Sequence, residues 1–499
     1  VTIVRAVNAA LTMTLLEKRQ YYTGKIYLSA IEVKGVRAAT KYKSRRVQLP
    51  VLQVITILFS LSLVFISPQS VNCRDYADKS TGYNKVPEKQ PIILWGPYIT
   101  GTNENSTVVN MKTNLASRVT VHYCTEAYYN ANASYDNSAS DNVYSLMHHV
   151  ALSGLEAGTT YHYQVCYDRE QTGDLRFSTF PKSGPFSFIV YGDTQDEPPN
   201  FSQEERHKLV ADRIAQEENI LFVINTGDLV NDGNDAHNWD RFFDAIRLMA
   251  TGTTIFPVHG NHDGNSLYFD IFGVSPYYSF DCAGSHFTVI DSVHRTPEQT
   301  EWLNTDLDNN MKWKFVFFHH PFYTSESNHF GGWENLRNEW EETFISRGVS
   351  AVWNGHIHAY ERYLEKGIQY MVVGIGGGPY TTLDKVKFTG YQKSFERILG
   401  YSKVSVDPVT GSVFIKVIKA AEISQDGKDV TISPKGTVID EYILSSSSVD
   451  LKAVYAYPDN TFKPDTAITR AEFVTILVKA FEFLPQAGKV FADTANSDY

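Results

Sequence analysis

Five short clusters of ligand-type residues recur through the middle of the chain: Gly192-Asp193, Gly227-Asp228, Gly260-Asn261-His262-Asp263, His319-His320-Pro321 and Gly355-His356-Ile357-His358. Carboxylate, amide oxygen and imidazole together are the donors that hold ions of intermediate hardness such as Fe, Mn or Zn. Each cluster alone has an ordinary explanation, since Asp after Gly is commonly a turn or cap and a lone His is more often packed or solvated than a ligand. All five, however, follow apolar runs that read as strands, and open α/β sheets form their clefts at the C-terminal ends of strands. Two metal ions are therefore expected. Asp193, Asp228 and His358 are assigned to the first, and Asp228, Asn261, His319 and His356 to the second. Asp228 can bridge because a carboxylate has two oxygens, and bridged ions lie about 3.5–4 Å apart. In an extended segment His356 and His358 share a face, which supplies one imidazole to each ion.

The elements that must position these residues are legible as an alternation. Apolar runs at 186–191, 221–225, 254–258, 287–290, 314–318, 351–353 and 370–373 are expected strands, and 203–218, 239–250, 299–307 and 334–346 have helical patterns. This is the pattern of an α/β layered domain. Residues 398–444 return to strands, with a hairpin signal at Asp407-Pro408-Val409-Thr410-Gly411, and are expected to complete a sheet of that domain. Before it, residues 91–183 carry short alternating runs separated by Asn, Gly and Ser, which predicts an antiparallel β-sandwich. Leu152-Ser153-Gly154-Leu155-Glu156-Ala157-Gly158-Thr159-Thr160-Tyr161 resembles the corner before a late strand of fibronectin type III modules.

The chain has 499 residues, 42% hydrophobic and 20% charged, which suffices for several domains with ordinary cores. Its net charge of −11 gives no sign of a nucleic-acid-binding surface. Residues 1–73 are expected to be a leader with an export signal: a basic flank ending Lys41-Tyr42-Lys43-Ser44-Arg45-Arg46, an apolar run from Leu49 to Ile66, then Ser67-Pro68-Gln69-Ser70. An uncleaved membrane anchor is the other reading of that run. Residues 74–90 are polar and read as a linker. Of four cysteines, Cys124 and Cys166 fall in neighbouring strand-like runs, and either pair or remain buried thiols. At the other end, Thr469 and Glu472 have capping-box spacing, and Phe473, Ile476, Leu477, Ala480 and Phe481 share a helical face. With the turn Tyr457-Pro458-Asp459-Asn460, residues 445–499 resemble an incomplete S-layer homology repeat of bacterial surface proteins, which implies a cell-wall polymer as partner.

The order Gly-Asp, Gly-Asp, Gly-Asn-His-Asp, His-x-Pro, Gly-His-x-His across residues 184–444 resembles that of calcineurin-like metallophosphoesterases. Gly355-His356-Ile357-His358-Ala359-Tyr360-Glu361-Arg362, with the preceding β module, is similar to the purple acid phosphatase branch. The resemblance implies a four-layer αββα domain, two ions, and hydrolysis of phosphate monoesters by a metal-activated hydroxide at a secreted, cell-surface location. Phosphodiester or nucleotide hydrolysis by the same core is the alternative, and a non-catalytic wall-adhesion protein is the alternative of another class. His262, oriented by Asp263, would serve the leaving group; His329 aligns with a substrate-binding His of the family, and His320 is expected to be structural. Two positions depart from the pattern. Asn231 stands where purple acid phosphatases have an iron-binding Tyr, and Gln195 where other metallophosphoesterases have a His.

Overall fold

The computed structural model describes residues 90–408 and 410–445. The expected export segment, the linker up to residue 89 and the S-layer-like module lie outside the described residues. Among those described, no helix is long and apolar enough to cross a membrane.

The first region holds β1 (Ile93–Thr100), β2 (Ser106–Ser117), β3 (Val119–Thr125), helix α1 (Glu126–Asn132), β4 (Asn137–Ser140), β5 (Ser145–Ser153), β6 (Thr160–Tyr167), β7 (Glu170–Gln171) and β8 (Leu175–Ser178). Period-two alternation buries one face of each long strand, as in β5, where His148, Val150 and Leu152 are inside and Ala151 outside. An antiparallel sheet β1-β2-β5 and a second sheet β4-β3-β6-β7, with β8 also on β6, close over Ile99, Val109, Met111, Val121, Val150, Leu152, Tyr163 and Val165. Each such side chain removed from water contributes about 1.5–3 kcal/mol. The expected sandwich is therefore present. Helix α1 was not signalled by periodicity; the Thr125 hydroxyl caps the Tyr128 N–H at 3.2 Å and starts it.

The second region adds β9 (Phe186–Tyr191), α2 (His207–Ile214), β10 (Ile220–Asn225), α3 (Ala236–Ala250), β11 (Thr254–Pro257), α4 (Ser266–Phe272), β12 (Tyr278–Cys282), β13 (Ser285–Val289), α5 (Pro297–Asp306), β14 (Trp313–Phe317), α6 (Glu334–Ser346), β15 (Ala351–Asn354), β16 (Tyr360–Glu365), β17 (Ile368–Val373), β18 (Tyr391–Phe395), β19 (Ile398–Asp407), β20 (Ser412–Ile423), β21 (Val430–Ile432) and β22 (Val438–Ser445). One sheet has the order β11-β10-β9-β19-β20-β21, with β22 also on β20, and the other β12-β13-β14-β15-β17-β16-β18. Between them lies an aromatic core in which Phe188 stacks on Phe222 at 5.0 Å and Phe222 meets Phe287 edge-on at 5.2 Å. Helices α2, α3 and α4 cover the outer face of the first sheet through Val210, Trp239, Phe242 and Phe272. Helices α5 and α6 cover the second through Leu303, Leu336, Trp340 and Phe344. The layers are αββα.

Two local expectations shift. Helix α2 starts at His207 rather than 203, because the Gln203 amide donates to the Thr194 and Leu229 carbonyls at 2.8 and 2.7 Å and Arg206 is buried; these residues hold loops instead of a first turn. Strand β13 begins earlier than residue 287, since Ala283 and Gly284 take positive φ and turn β12 back onto it. The cysteine alternatives also fall: Cys166 is disulfide-bonded whereas Cys124 is a buried free thiol, so neither their mutual pairing nor two free thiols describes the pair.

The sandwich is fastened to α3 and its neighbours. Trp95 donates to Asp240 at 2.6 Å, Tyr98 to the Ile271 carbonyl at 2.6 Å and Tyr163 to the Thr251 carbonyl at 2.6 Å.

At the far edge of the second sheet, His286 donates to Asp281 at 2.7 Å and to Asp306 at 2.9 Å. Burial alone would lower the imidazole, but those two carboxylates outweigh it and hold it above the ordinary 6.5. A group raised in the folded state stabilises fully below its unfolded pKa, and the benefit is lost as pH rises through the folded value. His286→Gln should therefore cost most stability near pH 5 and approach wild type above the raised value. Urea unfolding at about pH 5 and about pH 9 would check this, and a gap that widens with pH would refute it.

Candidate metal centre

Strands β9, β10, β11, β14 and β15 end at one rim, and the five clusters follow them directly. The backbone there is unusual. Asp193, Asp228 and His356 have φ of 58°, 53° and 69°, a region that costs a non-glycine residue about 1–3 kcal/mol and persists only where its surroundings enforce it. The enforcement is visible: the Asp193 N–H donates to the Gly227 carbonyl at 2.9 Å, and the His356 N–H to Asp193 Oδ1 at 2.7 Å. Glycine is required between them. A Cβ on Gly227 would lie 2.6 Å from His319 Nδ1, and one on Gly355 would lie 2.4 Å from Asp193 Oδ2.

The assigned ligands fall into the two expected groups. Asp228, His319 and His356 form one, Asp193, Asp228 and His358 the other, each with donor atoms within 4.8 Å of one another. Asp228 belongs to both. In the first-named group His319 Nε2 lies 3.1 Å from Asp228 Oδ2, 3.1 Å from Asn261 Oδ1 and 3.1 Å from His356 Nδ1, and Asn261 Oδ1 is 2.9 Å from His356 Nδ1. His319 Nδ1 faces the Thr226 carbonyl at 2.9 Å, which can only accept, so that nitrogen carries a proton and Nε2 is the one turned inward. In the other group His358 Nε2 lies 3.4 Å from Asp193 Oδ1 and 3.1 Å from the Gln195 amide. Asp193 Oδ2 and Gln195 Oε1 are buried and have no hydrogen-bond partner. Converging acceptors and orphaned oxygens are what a pair of cations would satisfy, so the residues present fit a dinuclear site.

Electrostatics agree. Burial would raise the Asp228 carboxyl, but His319 outweighs it and holds it well below the usual range. Burial would lower His319, and Asp228 instead lifts it to about 9. A site that holds a proton so firmly attracts positive charge. Burial and the neighbouring His319 and His320 push His356 down to about 2, which keeps its ring neutral and ligand-ready.

Around the two groups stand the remaining candidates. His262 donates from Nδ1 to the Asn231 carbonyl at 2.8 Å, so Nε2 is its free nitrogen, and its own N–H donates to Asp228 Oδ1 at 2.9 Å. Asp263 was expected to orient His262 and does not. Its carboxylate accepts from the N–H groups of Gly260, Asp228 and Leu229 at 2.8, 2.9 and 2.6 Å, because a fully buried carboxylate needs several donors and the loop's amides supply them. His329 lies at the same rim, its ring 5.6 Å from that of His356, stacked on Trp333 at 4.6 Å and bonded through Nδ1 to Glu326 at 2.8 Å. His320 is packed away behind them, hydrogen-bonded to Ser292 at 3.0 Å. Sequence reasoning missed Trp333 and Glu326; their place three or four residues either side of His329 was the available signal. Asn231 is exposed and contributes its main chain, whereas Gln195 points toward His358 in the group with Asp193 and Asp228.

The fold is the mixed α/β fold of metallophosphoesterases. Residues 186–360 match the calcineurin-like phosphoesterase family and residues 95–188 the purple acid phosphatase N-terminal domain. Residues 448–474 match the S-layer homology domain. Among relatives, purple acid phosphatase 18 of Arabidopsis thaliana is 29% identical over 241 residues, 43% of this chain and 53% of that protein. Fe(3+)-Zn(2+) purple acid phosphatase 12 of the same plant is 29% identical over 259 residues, 43% of this chain and 52% of that protein. The chain thus spans about half the length of the curated relatives it matches. The solved structure of purple acid phosphatase PPD1 from yellow lupin (Lupinus luteus) seeds shares the fold, with TM-score 0.58 and 16% identity over 71% of this chain and 74% of that one.

Because Asp228 belongs to both groups, Asp228→Asn should lower metal content by two equivalents, and His356→Ala and His358→Ala by one each, as counted by mass spectrometry of the metals. Equal losses in all three would contradict the assignment. With Asn231 in place of a phenolate donor, iron-loaded protein near neutral pH should lack a tyrosinate-to-iron absorption band; a purple preparation would overturn that.

Proposed function

We propose that the chain is a cell-surface metal-dependent phosphomonoesterase, with Asp193, Asp228 and His358 holding one ion and Asp228, Asn261, His319 and His356 the other. The observation that carries the reading is the sharing of Asp228 by two groups of donor atoms on buried or half-buried side chains. The match to an S-layer homology domain supports attachment to a cell-wall polymer. The Fe(3+)-Zn(2+) purple acid phosphatase among the relatives supports Fe and Zn, and the donor set suits Mn as well.

Two bound ions supply Lewis acidity toward phosphoryl oxygens and lower the pKa of water from 15.7 toward about 7. The rest falls to side chains. Asn261, held against His319 and His356, fixes the rim on which a phosphoryl group would sit. His262, its Nδ1 proton committed to Asn231, presents Nε2 at the edge; protonated there, it delivers that proton to the departing ester oxygen as the phosphorus–oxygen bond breaks. His329 stands at the same rim, its ring 5.6 Å from that of His356, with Glu326 fixing the ring and Trp333 backing it. Asp263 acts only through the backbone. It holds the amides of residues 228, 229 and 260 in place and touches no substrate.

His262→Ala should lower kcat by about 10²–10⁴, the range for a general acid, while leaving metal content intact. Turnover of p-nitrophenyl phosphate should exceed that of its bis ester. Unchanged turnover in the variant would remove His262 from the mechanism, and preference for the bis ester would favour diester hydrolysis by the same centre.

A further inference from the structure

One other set of donor atoms converges in the described residues. His259 lies just before Gly260 after β11, Asp291 follows β13, and His294 is three residues on in the loop leading to α5. Asp291 Oδ2 lies 3.2 Å from His259 Nδ1 and 3.5 Å from His294 Nδ1, and the three donor atoms lie within 4.8 Å of one another.

Among buried imidazoles, the spacing of His259 from its carboxylate stands apart. Buried imidazoles that bond a carboxylate directly do so at 2.5 Å for His148 and Asp141, 2.7 Å for His162 and Asp174, and 2.7 and 2.9 Å for His286 with Asp281 and Asp306. The pairs within the dinuclear groups are wider, 3.1 Å for His319 and Asp228 and 3.4 Å for His358 and Asp193. His259, at 3.2 Å, falls with the wider set. Two ligands each about 2.0–2.1 Å from a tetrahedral zinc ion are about 3.3 Å apart.

The surroundings match too. The second ring nitrogen of His259 hydrogen-bonds the Gly264 carbonyl, which can only accept, so Nδ1 is the nitrogen left to face Asp291, which it hydrogen-bonds at 3.2 Å. Metal-ligating histidines are held in this way by a carbonyl on the far side, as Thr226 holds His319 here. Asp291 Oδ1 accepts from the N–H groups of Val293 at 2.7 Å and His294 at 2.9 Å, which leaves Oδ2 to the cluster. The His259 and Asp291 side chains are 2% and 1% exposed, while that of His294 is 53% exposed and forms the solvent side.

We propose that His259 Nδ1, Asp291 Oδ2 and His294 Nδ1 form a third, mononuclear metal site for Zn(II) or a similar borderline divalent ion, with water in the fourth position. None of its three donors is among those assigned to the dinuclear centre. An ion there ties the loop from Asp291 to Thr296 to the strand exit that delivers Asn261 and His262, which makes it a positioning site and not a catalytic one.

The test is zinc stoichiometry of the full chain, stripped with a chelator, reloaded with Zn²⁺ alone and dialysed. His294→Ala, at an exposed position, should fold and bind one equivalent fewer than wild type. Asp228→Asn should keep one equivalent, with a Zn²⁺-dependent rise in Tm that the double variant Asp228→Asn/His294→Ala lacks. Equal stoichiometry in wild type and His294→Ala overturns the third site. Asp228→Asn retaining the full wild-type count would instead count against the dinuclear reading and leave the His294 comparison valid.

Discussion

The buried carboxylate of Asp228 is the constraint to which the rest of the structure answers. A carboxylate that is 2% exposed is costly unless positive charge or hydrogen-bond donors surround it. Here the His262 N–H and the His319 ring supply part of that, and the fully buried Asp263 is the counterpart that fixes its backbone. Left-handed conformations at Asp193, Asp228 and His356 are the consequence of turning three donor residues toward one point from three different strand ends. Such strain survives only on a stiff frame. The interlocked aromatic core between the two sheets, with Phe188, Phe222, Phe287, Phe317 and Trp353 in mutual contact, is that frame.

Much of this was legible because the site is built from contiguous motifs at strand exits. Asp193, Asp228, Asn261, His319, His356 and His358 come together as the donor types and strand ends implied, and the alternation of apolar runs gave both layers of sheet. What sequence could not reveal is which partner satisfies each buried polar group. Asp263 beside His262 reads as a His–Asp couple, yet the carboxylate turns inward to three amides and a carbonyl from Asn231 orients the imidazole. Neighbours in sequence are not neighbours in hydrogen bonding when the chain reverses direction between them. The same limit hid His259 from Asp291 and His294, which share one loop but lie on another element, Asp291 being 32 residues further along the chain.

The stretch from Ala359 to Arg362 was read as a family signature beside the metal ligands, and its chemistry is architectural. Tyr360 and Arg362 both donate to Asp440 at 2.8 Å, which joins β16 of one sheet to β22 of the other. Glu361 points the opposite way, and accepts from the Ser325 N–H at 3.0 Å and Tyr363 at 2.7 Å, as well as from Thr324. Since the Glu326 N–H bonds Thr324 at 3.0 Å, this network reaches the segment that carries His329. Alternating side chains of one strand therefore brace the sheet pair on one face and the loop that carries His329 on the other.

The two departures from the family pattern also resolve into one physical statement. A phenolate at position 231 would add a negative charge to the first group, whereas the Asn231 side chain is exposed and adds none. Gln195 reaches the group in its place through Nε2, 3.1 Å from His358 Nε2, with a buried Oε1 that no donor satisfies, and an amide carries no charge. The charge of the first group then comes from Asp193 and Asp228 alone, and Asp228 is shared with the second. A donor set with less than two full negative charges to itself neutralises a divalent ion better than a trivalent one, because in a site this buried any excess positive charge lacks solvent to screen it.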